Sequence, residues 1–142
     1  MQPFRTLKTF LQGKALSHPL HPVLVHIPIG AWILSFIFDV IGFVSSEASL
    51  RASMVQSSYW CLVVGIIVVL PTMATGLAEF VDVPAHTTAQ KIGWAHMGVN
   101  FLVTVIYLLQ IMMRSAEGAT ARVVIINGIS FLLLGVSGYL GG

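Results

Sequence analysis

Charge is the first thing this sequence is short of. Only 8% of its 142 residues are charged, against 56% hydrophobic residues and a mean hydropathy of +0.91. Soluble globular chains carry about 25% charged residues. A chain of this length folded in water must leave much of its surface exposed, so it cannot hide this many apolar side chains by itself. A lipid bilayer is the solvent they require. Cysteine is nearly missing. Cys61 alone excludes an internal disulfide and a thiolate cluster, and its apolar surroundings point to a buried, inert thiol. The 7 basic residues are scattered and the net charge is only +2, which argues against nucleic-acid binding. A secretory signal is lacking too, because residues 1–17 hold Arg5, Lys8 and Lys14 but no apolar core long enough for an h-region. No CxxCH or other local haem motif occurs.

What the sequence does have is four apolar stretches. A hydrocarbon core of about 30 Å takes about 20 helical residues to cross. Residues 23–44, 55–80, 92–113 and 119–140 each meet that length. Between them stand Ser45-Ser46-Glu47, Asp82-Val83-Pro84 and Arg114-Ser115-Ala116-Glu117-Gly118. Connections this short make consecutive helices antiparallel neighbours. The expected fold is therefore an all-α integral membrane protein, an up-down bundle of four transmembrane helices. It forms one domain over residues 18–142, preceded by an N-terminal segment, residues 1–17. In that segment Phe4, Leu7, Phe10 and Leu11 recur at helical intervals, with the basic residues elsewhere on the wheel. That predicts a short amphipathic helix on the membrane surface, with a disordered tail as the alternative.

Four spans put both termini and the connection between the second and third helices on one side, the N-side. That side carries Arg5, Lys8, Lys14 and Lys91, and the opposite side Arg51, Arg114 and Arg122, a small bias toward a cytoplasmic N-side. Thr72, Thr75, Gly76, Gly128, Gly135 and the GxxxG pair Gly138 and Gly142 suit close helix packing. Pro71 is expected to kink the second span. His26 and Gly30 resemble His96 and Asn100, and Thr75-Gly76-Leu77 resembles Ser137-Gly138-Tyr139-Leu140, as a duplicated hairpin would.

The polar residues carry whatever chemistry there is. His18, His21, His26, His86 and His96 all fall near the N-side, at the level of Glu79 and Asp82. Imidazole is the commonest ligand for metal ions and haem iron. His26 and His96 each lie about one turn inside parallel helices, a placement that lets them hold a haem iron from two sides. His18, His21 and His96, with Glu79 as partner, form a candidate metal-ion set. The structural alternative is a hydrogen-bond network, for example His96 to Glu79. In His18-Pro19-Leu20-His21-Pro22 each proline restricts the residue before it to extended backbone, which holds both imidazoles rigidly. Asp39 is expected far from the histidines, paired with Arg114 or Arg122, because an unpaired carboxylate in lipid is costly; a proton relay is the sharper alternative. Asn100 and Asn127 are expected to bond each other across the bundle. Trp32, Trp60, Trp94 and Tyr59 read mostly as interface anchors, and an aromatic box for a quinone headgroup near Trp94 and His96 is conceivable.

The run HPLHPVLVHIPIGAW followed by Asp39, the segment TGLAEF at 75–80, His96 with Asn100, and the closing GYLGG at 138–142 together resemble a bacterial membrane family, domain of unknown function 2231. The resemblance covers about residue 17 to the end. It implies four transmembrane helices, and, since some relatives carry a Rieske-type iron–sulfur domain after this one, an electron-transfer setting. By the resemblance, His18, His21 and His96 follow the family pattern, while some relatives have proline at the position of His26. Fused relatives continue past GYLGG, often into a further histidine, whereas this sequence ends at Gly142.

The expectation is a small membrane subunit with a histidine-rich site at one face, in or beside an electron-transport complex, holding haem b or a transition-metal ion. Its partners would be lipid and other integral membrane subunits or a redox protein, in the bacterial inner membrane. The alternative is a cofactor-free accessory subunit of a larger assembly. No nucleophile–base pair stands out, so no catalysis of its own is expected, and the broken helices of transporters are not evident.

Overall fold

The computed structural model describes residues 2–141, with side chains for all of these except residues 2–4 and 115–117. Gly142, the second glycine of the expected GxxxG pair, and the side chain of Phe4 lie outside the described residues. Five α-helices follow in order: α1 (Gln2–Leu11), α2 (Leu20–Val44), α3 (Ala48–Phe80), α4 (Thr88–Glu117) and α5 (Ala121–Gly141). A single 3-10 turn, Lys14–Leu16, joins α1 to the rest. The helices α2, α3 and α5, and α4 as far as Arg114, are long and apolar enough to cross a membrane. The protein is an all-α membrane bundle, as the apolar runs require.

Local chemistry sets the helix ends. Pro19 precedes α2 in extended backbone, and Pro22 falls in the first turn, where a missing N–H costs nothing. Thr87 caps α4 by accepting from the Gln90 N–H at 3.2 Å, while Gln90 Oε1 accepts from the His86 N–H at 2.8 Å, a close relative of the capping box. Gly118 ends α4 at φ 63°, a left-handed backbone that glycine adopts without strain. The helix α3 continues through Pro71 to Phe80.

The interior is unusual in being polar. Large apolar side chains such as Ile67, Phe101, Met112 and Leu132 are exposed on the outside, where lipid would cover them. Ser35, Asp39, Ser58, Gln110, Arg114, Asn127 and Ser130 are buried between the helices, around a small apolar cluster of Trp32, Leu62, Val69, Val103, Tyr107 and Leu134. Polar groups facing the bundle interior are what a bilayer imposes. Trp32 belongs to this core at 2% exposure and is not an interface anchor, whereas Trp60 and Trp94 remain exposed. Cys61 is half-buried, less enclosed than its apolar surroundings suggested.

The two hairpins, α2–α3 and α4–α5, repeat one another. Buried Pro28, Trp32, Ser35 and Asp39 of α2 each have a buried counterpart 75 residues on in α4: Val103, Tyr107, Gln110 and Arg114. Buried Ser58, Leu62, Gly65, Val69 and Thr72 of α3 correspond to Val123, Asn127, Ser130, Leu134 and Ser137 of α5, each 65 residues on. Because α2 and α4 run the same way, the repeat axis lies along the bundle, as in transporters built from parallel repeats. The duplication suggested by the sequence is thus present but in another register. His21, not His26, matches His96, and Gly76 matches Gly141. Apolar helices resemble each other in many registers, and only burial picks the one used.

The N-terminal helix is docked. Gln12 donates from Nε2 to the Ala78 carbonyl at 2.8 Å and to Asp82 Oδ2 at 2.6 Å, and Lys8 forms an ion pair with Asp82. The Lys8 hydrogen bond, aided by Gln12, holds the Asp82 carboxyl below its ordinary range. Leu7 and Phe10 stay exposed on α1, available to a membrane surface.

Candidate functional site

A cavity of about 670 Å³ opens between the two hairpins at their N-side end. Its volume falls within the roughly 300–1,000 Å³ typical of small-molecule and cofactor sites. His21, Thr72, Glu79, His96 and Asn100 supply the polar part of an otherwise apolar wall that Trp32 helps to form.

The two histidines are held in the same way. His21 Nδ1 lies 2.9 Å from the Thr72 carbonyl, and His96 Nδ1 lies 2.9 Å from the Ser137 carbonyl. A carbonyl only accepts, so in each ring Nδ1–H donates and the Nε2 lone pair is left for something else. Thr72 and Ser137 are repeat counterparts, so the second hairpin reproduces the imidazole–carbonyl contact of the first. One turn after each carbonyl stands a glycine against the ring. A Cβ on Gly76 would come within 2.8 Å of His21 Cε1, and a Cβ on Gly141 within 2.7 Å of His96 Cε1. Any side chain there would displace an imidazole.

Asn100 sits over His96. Its Nδ2 lies 2.6 Å from Ser137 Oγ, 2.9 Å from the His96 carbonyl and 3.1 Å from His96 Nε2. The amide has two hydrogens, and the two shorter contacts account for them, which leaves the Nε2 lone pair available. The Asn100–Asn127 bond expected across the bundle does not form, because Asn127 lies near the start of α5, toward the end opposite the cavity, and bonds Asp39 instead.

The other expected ligands are dispersed. His18 is exposed, with Nδ1 3.3 Å from the Leu16 carbonyl at the surface. His26 is exposed on α2 and does not line the cavity; with the proline-fixed start of α2, the helical turn that points His21 inward points His26 out. His86 is exposed in the α3–α4 connection. Glu79 reaches the cavity wall, but its buried Oε1 has no hydrogen-bond partner among the described residues, so the expected bond to His96 is not made. Among the described residues no three His, Cys, Asp or Glu side chains cluster as a metal-ion site. Gly76, Gly141 and Ser137 were missed as site residues. The repeated small-hydroxyl-xxx-Gly pattern, Thr72 to Gly76 and Ser137 to Gly141, was the available signal.

Beyond the cavity, toward the opposite end, lies the polar core. Trp32 and Tyr107 meet between the two regions, with ring centroids 4.6 Å apart and planes tilted by 33°. Arg114 pairs with Asp39 Oδ2 and donates to Ser58 Oγ at 2.6 Å. Asn127 Nδ2 donates to the same carboxylate oxygen at 2.6 Å and to Ser35 Oγ at 3.1 Å. Ser35 and Ser58 join at 2.8 Å. Of the two arginines considered as partners for Asp39, the ion pair uses Arg114.

A family model described as a predicted membrane protein family, DUF2231, matches residues 17–142. No curated protein and no solved structure matches the chain.

Proposed function

The chain belongs to the DUF2231 family of predicted membrane proteins, and we propose that it serves as a small electron-transfer subunit whose cavity takes haem b between His21 and His96. The observation that carries this is the duplicated imidazole geometry, in which each Nδ1–H is tied to a backbone carbonyl and each ring is flanked by a glycine. Histidine ligands almost always donate their other ring N–H to a carbonyl or carboxylate, which fixes tautomer and ring orientation. Two equivalent imidazoles on either side of a repeat axis suit a group that takes one ligand from each side. Haem needs only such a pair of axial ligands, whereas a tetrahedral ion site draws three or four protein donors. The donor set therefore favours haem over a bare transition-metal ion.

His21 and His96 would hold the group, Gly76 and Gly141 leave room beside the rings, and Trp32 closes the cavity floor. When bound, haem would supply one-electron transfer, and the hydrogen bonds from His21 and His96 to the Thr72 and Ser137 carbonyls would tune its potential. The setting that follows is a multi-pass protein of the bacterial inner membrane, in or beside an electron-transport complex. Arg5, Lys8, Lys14 and Lys91 favour the cavity end as the cytoplasmic one.

The test is an oxidised-versus-reduced absorption spectrum of protein purified in mild detergent and supplied with hemin. The expected result is a set of reduced b-type bands that disappear in His21→Ala and in His96→Ala and persist in His26→Ala. Featureless spectra of the folded, hemin-supplied protein overturn the proposal and leave a cofactor-free accessory subunit.

A further inference from the structure

We infer that the polar core on the far side of Trp32–Tyr107 is a binding site for a cluster of internal waters, which gives protons access to the bundle interior from the face opposite the cavity. Eight buried side-chain polar atoms lack a hydrogen-bond partner among the described residues. One belongs to Glu79 in the cavity. Of the other seven, the Tyr107 hydroxyl lies beside Ser130 and Trp32 Nε1 lies against Gly65, while five belong to four residues of one column: both amide atoms of Gln110, Arg114 Nε, Asp39 Oδ1 and Asn127 Oδ1. All four of these residues are at most 5% exposed. Native proteins leave only a few such atoms per 100 residues, so five in one region need a ligand.

The chemistry of the column identifies that ligand. Asp39, Asn127 and Gln110 offer acceptors, while Arg114 and the other atom of Gln110 offer donors. A cation would satisfy only the acceptors and would sit against the Arg114 guanidinium. An anion would satisfy only the donors and would sit against the Asp39 carboxylate. Water satisfies both, and buried waters typically make about three hydrogen bonds to groups of this kind. The charged and titratable groups facing the site are Asp39 from α2 and Arg114 and Tyr107 from α4, while α3 and α5 contribute only Ser58, Asn127 and Ser130. The site also has a short route out. Asp39 is five residues from the end of α2 and Arg114 three from the end of α4, about 5–8 Å at 1.5 Å per residue.

The inference stands apart from haem binding and is tested without it. Uniformly ¹⁵N-labelled protein, in detergent and without added hemin, is moved into D₂O, and exchange is followed at the Arg114 Nε–H and the Gln110 and Asn127 side-chain amides. The expected result is exchange at these groups at least about 10-fold faster than at the flanking backbone amides of α2 and α4, with water cross-peaks in H₂O. Asn127→Leu, which removes one acceptor and fills space, should slow the Arg114 Nε–H. Side-chain N–H groups in the wild type as protected as those backbone amides would overturn the inference, whether or not the variant folds. A spectrum without haem bands has no bearing on this outcome.

Discussion

Asp39 and Arg114 hold equivalent positions in two successive helical hairpins, and they form one ion pair with each other inside the bundle. Each is buried, and each is supported by hydroxyl or amide groups from α3 and α5. Removing one partner of a buried pair leaves the other charge without compensation.

Asp39→Asn should accordingly destabilise the protein by about 3–5 kcal/mol, the usual cost of breaking a buried pair from one side. Because the two positions are related by the repeat, the exchange Asp39→Arg with Arg114→Asp restores the attraction in reversed order. Thermal unfolding in detergent should show the double variant recovering more than half of the loss seen in either single one. A double variant no better than the singles would show that the surrounding hydroxyls and amides, not the charge pair, dominate.

Gly76→Ala and Gly141→Ala should have matching effects. Each Cβ would meet an imidazole at under 3 Å, so each ring must leave its carbonyl or the helices must separate, at about 1–3 kcal/mol for an overpacked site. Both variants should weaken retention of added hemin, and their melting temperatures should fall together. A large effect at one glycine alone would contradict the equivalence of the two halves.

His26 offers the contrast. It is exposed and makes no contact with the cavity, so His26→Ala should change stability by no more than about 0.5 kcal/mol. Hemin titration of this variant should give the wild-type stoichiometry.

Acid should release α1 from the bundle. The Lys8 and Gln12 hydrogen bonds lower the Asp82 pKa in the folded protein. A depressed carboxyl stabilises the docked state above its unperturbed pKa, about 3.9 for Asp, and this contribution fades as pH falls through the lowered folded value. A spin label at position 10, placed by Phe10→Cys in a Cys61→Ser background, should become mobile below about pH 4. In Asp82→Asn the label should already be more mobile at neutral pH, and its mobility should no longer change with acid over that range.

The spans were legible because a bilayer demands about 20 apolar residues in a row, and each run supplied them. The partnership of Asp39 with an arginine near the same face was legible for a similar reason, since a lone charge in lipid is too costly. The histidine pair was not. His21 and His26 are five residues apart on one helix, so a rotation of the helix that sequence cannot fix decides which of them faces inward. The roles of Thr72 and Ser137 were hidden more deeply, because each uses its backbone carbonyl, and a carbonyl leaves no mark on residue identity. Asn127 looked like glue between helices, but the carboxylate of Asp39 is a stronger acceptor than another amide.

The ion pair at equivalent positions also bears on ancestry. Had this bundle begun as two identical hairpins from separate chains, the residue now at 39 and the residue now at 114 would have been the same, and in a symmetric pair such a residue faces its own copy. Two aspartates or two arginines would then have confronted each other in the dry interior. Once the two hairpins no longer shared one coding sequence, one copy could drift to an acid and the other to a base. A single chain thus holds an asymmetric ion pair inside a bundle whose buried positions still correspond from one hairpin to the other.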